Sequence, residues 1–195
     1  MKALFKAIRA SDLSAVKRLI EPDPGLVHCT ARKPPKKDDG QSPLQVAFKS
    51  GQFDIADYLI DRGADVQFIE KESINEWRAP VIHDAIRASI FSSRFLGIGG
   101  PTHTLAQFQR AFASLEKLVA AGANVRACDS YGNTCLVRAV LDARQLKLDA
   151  AASEDVGRVF TLLIGRGADI HEPTPQRPSA AELAGDGPVA KFLKV

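Results

Sequence analysis

Apolar residues along the chain recur at helical steps of three and four. Ile55, Tyr58, Leu59 and Ile60 form one such stretch, Leu115, Leu118 and Val119 a second, and Val159, Leu162, Leu163 and Ile164 a third, each predicting one buried helix face. All three stretches run into nearly the same four letters: Gly63-Ala64-Asp65-Val66, Gly122-Ala123-Asn124-Val125 and Gly167-Ala168-Asp169-Ile170. A glycine just past a helix takes the left-handed conformation that lets the chain stop and turn. Gly63, Gly122 and Gly167 are therefore predicted helix terminators. The alanine that follows permits a close fold-back, and Val66, Val125 and Ile170 return an apolar side chain to the body.

A second pattern lies upstream of each helix. SPLQVA at 42–47, PVIHDA at 80–85, TCLVRA at 134–139, SAAELA at 179–184 and a worn copy, KALFKA, at 2–7 all end on alanine. Ser or Thr opening three of these segments suits a helix N-cap. The recurrent Ala7, Ala47, Ala85, Ala139 and Ala184 suit helices pressed against neighbours at short distance.

This order of signature, paired helices, G-A-D-V and turn resembles the ankyrin repeat, with its T-P-L-H-x-A signature and period of about 33 residues. The best copy runs from Asp39-Gly40 through Ser42-Pro43-Leu44, Ser50-Gly51 and Ile55 to Gly63-Ala64-Asp65-Val66. The resemblance covers nearly the whole chain as about five repeats. It implies an all-α solenoid of stacked helix-turn-helix units with β-hairpin-like loops. We expect one domain over 1–195, with repeats near 1–38, 39–76, 77–130, 131–175 and 176–195. Ala180 and Ala181 replace the usual Pro-Leu, so the last repeat reads as a cap ending at Val195.

The steps between successive signature alanines, Ala7 to Ala184, are 40, 38, 54 and 45 residues. Each exceeds the family period of about 33. From alanine to terminating glycine the spacing is 16 between Ala47 and Gly63, but 37 between Ala85 and Gly122 and 28 between Ala139 and Gly167. Insertions of 21 and 12 residues therefore fall inside two repeats, between or within their paired helices. Five further residues lengthen the hairpin VQFIEKESINEWRAP.

The larger insertion, IFSSRFLGIGGPTHTLAQFQRAF, holds Phe91, Phe95, Phe108 and Phe112 around a hinge-like Gly97-Ile98-Gly99-Gly100-Pro101. Leu105, Phe108, Phe112 and Leu115 recur at helical steps behind Thr102 or Thr104, either of which suits a cap. An extended helix pair packed over its repeat is the expectation. The glycine cluster lacks the lysine of a phosphate loop and follows no evident strand. In the smaller insertion Ser153, Glu154 and Asp155 are expected to open the second helix.

Composition adds exclusions. With 45% hydrophobic and 25% charged among 195 residues, the chain can bury a sizeable core. No apolar run reaches the roughly 20 residues of a membrane span, and charges interrupt the start too early for a signal peptide. A cytoplasmic protein without membrane insertion is expected. Cys29, Cys128 and Cys135 fall in no C-x-x-C pair, which predicts reduced thiols and no metal site.

The net charge of +3, from 26 basic and 23 acidic side chains, is too balanced to announce nucleic acid. The local run Arg32-Lys33-Pro34-Pro35-Lys36-Lys37 meets Asp38 and Asp39 at once. It reads as a solvated loop, or alternatively as a weak nucleic-acid or anionic-surface contact. His83 occupies the histidine of the signature, a structural hydrogen-bonding position in the turn, while His28, His103 and His171 fall in loops or insertions. No nucleophile elbow, H-E-x-x-H or paired-carboxylate arrangement occurs, so we expect no enzyme, cofactor or small-molecule substrate. Many ankyrin repeats carry, after the valine, an Asn that resembles a hydroxylation target. Here Gln67, Arg126 and His171 stand there, which argues against that modification.

The resemblance implies binding of a partner protein through the concave face of turn tips and first helices. Positions just before the signature include Lys37, Asp38, Glu76, Trp77, Arg78, Ser130 and Tyr131; those just after its alanine include Lys49, Arg87 and Asp142. Trp, Tyr and Arg carry much of the binding energy at interfaces. Trp77, Arg78, Arg87, Tyr131 and Arg138 are accordingly the expected contacts, with Lys37, Glu76 and Asp142 beside them. The alternatives are a Trp77 folded under the hairpin with Phe68 and Ile69, and a Tyr131 that is a plain turn residue. A second function is an inhibitor or immunity-type protein that blocks a toxin or enzyme with the inserted lobe.

Overall fold

The computed structural model describes residues 1–33, 35–72, 74 and 76–194. Pro34 of the basic run, Ser73 and Asn75 of the long hairpin and Val195, the expected end of the last repeat, lie outside the described residues.

Helices come in pairs: α1 (Lys2–Arg9) with α2 (Leu13–Ile20), α3 (Pro43–Lys49) with α4 (Phe53–Asp61), α5 (Val81–Phe91) with α6 (Leu105–Ala120), and α7 (Cys135–Ala143) with α8 (Ala150–Gly165). The short α9 (Ala180–Ala184) closes the series and is followed by a 3-10 turn at Ala190–Leu193. In one row α1, α3, α5, α7 and α9 each lie against the next, and in a second row α2, α4, α6 and α8 do the same. The result is an all-α solenoid. Among the described residues no helix is long and apolar enough to cross a membrane.

Local sequence explains both ends of these helices. Ser42, Thr134 and Ser179 each accept a hydrogen bond from a backbone N–H in the first turn, and Ser42 and Ser179 complete capping boxes with Gln45 and Glu182. At the far ends, Gly63, Gly122 and Gly167 stand at φ of 81°, 98° and 95°, a region where any other L residue is strained. Ala64, Ala123 and Ala168 behind them are buried. Leu44, Leu59, Ile82, Ile86, Leu115, Val140, Phe160 and Leu163 are fully enclosed between the rows. Ala47, Ala85 and Ala139, also fully buried, allow the close approach of neighbouring first helices.

The insertions are traceable residue by residue. After Ala85, α5 runs to Phe91 where α3 stops at Lys49, the connecting loop is 92–104 instead of 50–52, and α6 has 16 residues where α4 has 9. These differences absorb all 21 added residues. In the next pair α7 is extended to Ala143, the loop is 144–149 and α8 again has 16 residues, which absorbs all 12. Each insertion thus adds about two turns to the front of a second-row helix.

Three details depart from expectation, and a fourth is decided between its two alternatives. Helix α8 begins at Ala150, a turn before Ser153–Asp155, because the Asp149 carboxylate accepts from Ala152 N at 2.8 Å and caps it there. The glycine cluster is not a bare hinge but a small antiparallel hairpin, β1 (Leu96–Gly97) and β2 (Gly100–Pro101), with Ile98 and Gly99 at its tip. Thr104 alone of the two threonines caps α6, in a capping box with Gln107, while Thr102 Oγ1 donates to Phe95 O at 3.1 Å. His83 also moves, from the turn into the first turn of α5.

The loops between pairs project as fingers, closed by single antiparallel bridges at Ile69–Pro80, Cys128–Thr134 and Thr174–Arg177. Neighbouring fingers are tied to one another. Ile74 N donates to Asp39 Oδ2 at 3.0 Å, Arg78 N donates to Ser130 Oγ at 3.0 Å, Ser130 N donates to Arg78 O at 2.9 Å, and Thr174 Oγ1 donates to Gly132 O at 2.8 Å.

Candidate functional site

Fingers and first-row helices together form the face on which the expected contacts were placed by sequence. Trp77, Arg87, Tyr131 and Arg138 line one open cleft of about 290 Å³, with Leu141, Asn133 and Arg177 completing it. Four of the eight expected residues therefore converge. They come from two fingers and from α5 and α7, so only the stacking of one pair on the next brings them together.

Trp77 is held from below. Its indole Nε1–H donates to Asp129 Oδ2 at 2.8 Å, and Asn133 Nδ2 donates to the same oxygen at 2.8 Å. Burial works to raise the pKa of Asp129, but these bonds and the Asn133 backbone N–H outweigh it and hold the carboxyl below its usual range. The Trp77 ring is half-buried, and its indole bond to Asp129 ties its own finger to the next one. Tyr131 is 43% exposed on the opposite lip.

Beneath this sits His83, whose Nε2–H donates to Ala127 O at 3.2 Å. Its Nδ1 has no hydrogen-bond partner and lies 3.9 Å from Asp129 Oδ2. Burial lowers the His83 pKa to about 4 despite the attraction of Asp129, so the ring is neutral at physiological pH.

Arg138 and Arg87 converge on one acid. Arg138 Nε and Nη2 donate to the two Asp142 oxygens at 3.0 and 2.7 Å, and Arg87 Nη1 reaches Asp142 Oδ1 at 3.3 Å. Asp142, expected at the exposed end of its helix, is instead fully buried. The extension of α7 to Ala143 places it inside the stack, where it orients the two arginines rather than facing outward. Burial raises its pKa, with Arg138 and Arg87 pulling the other way.

The remaining expected residues lie apart. Arg78 and Glu76 are exposed on the Trp77 finger, where Glu76 O accepts from Ser130 Oγ at 3.1 Å. Lys37 is exposed on the preceding finger, and its carbonyl accepts from Lys49 Nζ. Arg177 and Leu141 were missed by sequence reading. Arg177 had a signal: it precedes Ser179 by two residues, as Arg78 precedes Pro80.

A second cleft, of about 210 Å³, opens between α3 and α5 and shares Arg87 with the first. Phe48, Ala88 and Phe91 form its walls, Asp84 its floor and Lys49 its rim. Below it Gln45 Nε2 donates to Ala79 O at 3.0 Å and to Asp84 Oδ2 at 3.1 Å, and Gln41 Nε2 donates to Glu70 Oε1 at 2.8 Å. Burial pushes Asp84 up to about 7 and raises Glu70 as well, although Lys49 pulls both down.

Among the described residues no group of three His, Cys, Asp or Glu could hold a metal ion. All three cysteines are free thiols whose pKa burial raises, the opposite of an activated nucleophile. In the basic run Arg32 faces Glu72 at 3.3 Å and Lys33 N donates to Asp39 Oδ1 at 2.9 Å.

The inserted lobe is fixed to the next pair. Arg94 donates from Nε and Nη2 to both oxygens of the buried Asp155, at 3.0 and 2.7 Å, and from Nη2 to Glu154 at 2.9 Å. At the lobe's tip Ile98 is entirely exposed.

Residues 1–69, which span α1 to α4, match the family model described as ankyrin repeats (3 copies). No curated protein matches the chain.

Proposed function

We propose that this chain, an ankyrin-repeat protein, binds a partner protein at the cleft between its third and fourth helix pairs. Ankyrin repeats are generic protein–protein interaction modules and are typically non-catalytic. The observation that carries the finer reading is the convergence of Trp77, Tyr131, Arg87 and Arg138 on one open cleft. Aromatic and arginine side chains give large contact area and directed charge at modest entropic cost. In this reading Trp77 and Tyr131 form the two lips, Arg87 and Arg138 supply charge, and Asp142 acts only by aiming them. Arg78, Glu76 and Lys37 contribute at the rim.

The test uses residues without a structural load. Tyr131 is exposed and Arg177 is exposed at the opposite edge. We expect a protein captured by the wild-type chain from a lysate to be lost by a Tyr131→Ala/Arg177→Ala double variant of unchanged helicity. Equal retention by both would sink the central-cleft reading.

The inserted lobe supports a second reading, that of an inhibitor which blocks a toxin or enzyme. Its basis is Ile98, wholly exposed between glycines on a hairpin whose base Arg94 clamps to the neighbouring pair. A lone apolar tip on a fixed base suits insertion into a target's cleft. Ile98→Ser should then abolish binding while Tyr131→Ala/Arg177→Ala spares it, the reverse of the first reading.

A further inference from the structure

Lined up by their signature alanines, the first four first-row helices reach a common position two residues further on, occupied by Arg9, Lys49, Arg87 and Leu141, whereas α9 stops at its alanine and Asp186 follows outside it. Because α1 lies against α3 and α3 against α5, the three cations form consecutive rungs on the concave side. Arg9 and Arg87 each hold one carboxylate that is itself buried, Asp38 at 2.7 Å and Asp142 at 3.3 Å. Lys49 Nζ donates to two neutral oxygens, Lys37 O and Gln41 Oε1, the latter at 3.1 Å.

The track continues past α1, where Lys2, Lys6, Arg9 and Arg32 line a groove of about 340 Å³. The acids nearest the track, Asp38, Glu70, Asp84 and Asp142, are all buried beneath it, whereas Lys49 and Arg87 are exposed above. Glu72, exposed, is taken up by Arg32. A chain passing over this face therefore meets cations first.

Between the second and third rungs lies the cleft walled by Phe48, Ala88 and Phe91. Its walls are carbon, and Arg87 lies over the Phe91 ring at 5.1 Å. A cleft of about 210 Å³ accepts one large apolar side chain and offers a phosphate no donor beyond the rim. This combination favours an acidic polypeptide over a nucleic acid, whose charge would be unbroken along the track.

Packed helices stand roughly 8–10 Å apart, a distance that an extended chain at about 3.3 Å per residue covers in about three residues. We propose that the partner segment is an extended acidic strand whose carboxylates, spaced about three residues apart, face Arg9, Lys49 and Arg87. Between the last two acids it seats one large apolar side chain against Phe48, Ala88 and Phe91. The inference rests on the concave-face reading and adds the chemistry and spacing of its partner.

A random-peptide display library, selected on the full chain at physiological salt, tests it directly. Enriched peptides should carry Asp or Glu at three-residue spacing with Phe, Leu, Ile or Trp between two of them. Their affinity should drop by about tenfold or more on Lys49→Glu, which reverses the middle rung, and on Ala88→Leu, which fills the cleft; both variants are first checked for wild-type helicity. Neutral or basic winners, absence of enrichment, affinity unchanged on both variants, or displacement by a single-stranded oligonucleotide would each overturn the proposal. If a captured protein is lost on Tyr131→Ala/Arg177→Ala while selected peptides lack the acidic spacing, the concave-face reading stands and this inference falls. If the acidic spacing emerges but capture ignores those two residues, the central cleft is what fails.

Discussion

The α3–α4 pair and the α5–α6 pair lie side by side, start from the same signature and end on the same glycine, yet the second is longer by 21 residues. Their first helices stay in register, with Ala47 and Ala85 both fully buried where neighbouring first helices meet. All the added length appears at the far end of the first helix, in the loop and at the front of the second helix. A stack of repeats needs each unit to present one conserved edge to its neighbours. Where that edge is kept, the opposite side is free to grow. The α7–α8 pair repeats the lesson, and the two outgrowths hold each other: Arg94 of one loop clamps Asp155 in the added turns of the other.

The sharpest way to break this comparison is to ask whether the added turns belong to the core. Phe108 lies in the added part of α6, is fully buried, stacks on Phe112 at 5.6 Å and lies under Arg158. Phe108→Ala should cost about 3–5 kcal/mol in urea unfolding. A loss under about 1 kcal/mol would make the outgrowth an ornament on an independent stack. Next in size, Arg94→Ala leaves the buried Asp155 carboxylate without its cation and should lower the urea midpoint, by less than Phe108→Ala does. Asp155→Asn combined with Arg94→Ala should recover part of that loss, which a double-mutant cycle would read.

A smaller effect tests the shared edge itself, where Asp84 sits at the α3–α5 contact. The unfolded chain releases the Asp84 proton at about pH 4, but the folded chain keeps it up to about 7. Between those values the folded state binds more protons, so stability falls as pH rises and is level above the upper limit. Glu70, raised by burial too, adds the same sign. Asp84→Asn should therefore be more stable than wild type at about pH 8 by about 1–3 kcal/mol, with the gain fading toward about pH 4. Smallest of all, Gly63→Ala and Gly122→Ala should each cost about 1 kcal/mol, since both sites have positive φ and open space around the missing Cβ. Unequal costs would mean that the long and short pairs do not stop in the same way.

What could be read from sequence follows the same division. Caps at Ser42, Thr134 and Ser179, terminators at Gly63, Gly122 and Gly167, and the size of each insertion depend on neighbours a few residues away, and all were legible. The Asp149 cap was overlooked because Ser153-Glu154-Asp155 carries an equally good local signal one turn later. Nothing local shows that Glu154 and Asp155 are claimed by an arginine some 60 residues earlier. The same reason hid the fate of Asp142: its arginine partner on α5 lies 55 residues away, and its burial depends on how far α7 extends. Trp77 was visible as a special residue, whereas its attachment to Asp129 across 52 residues was not. The converging residues are named by sequence; their convergence is a property of the stack.

The ties between fingers, from Asp39 to Ile74, from Arg78 to Ser130 and from Gly132 to Thr174, have a mechanical consequence. Fingers joined at their tips cannot fan apart one by one, any more than the teeth of a comb can spread when a bar runs across them. The width of the channel is then set by the chain before anything enters it. A segment that lies along the channel meets a gauge of fixed bore, and pushing on one tooth loads the whole bar.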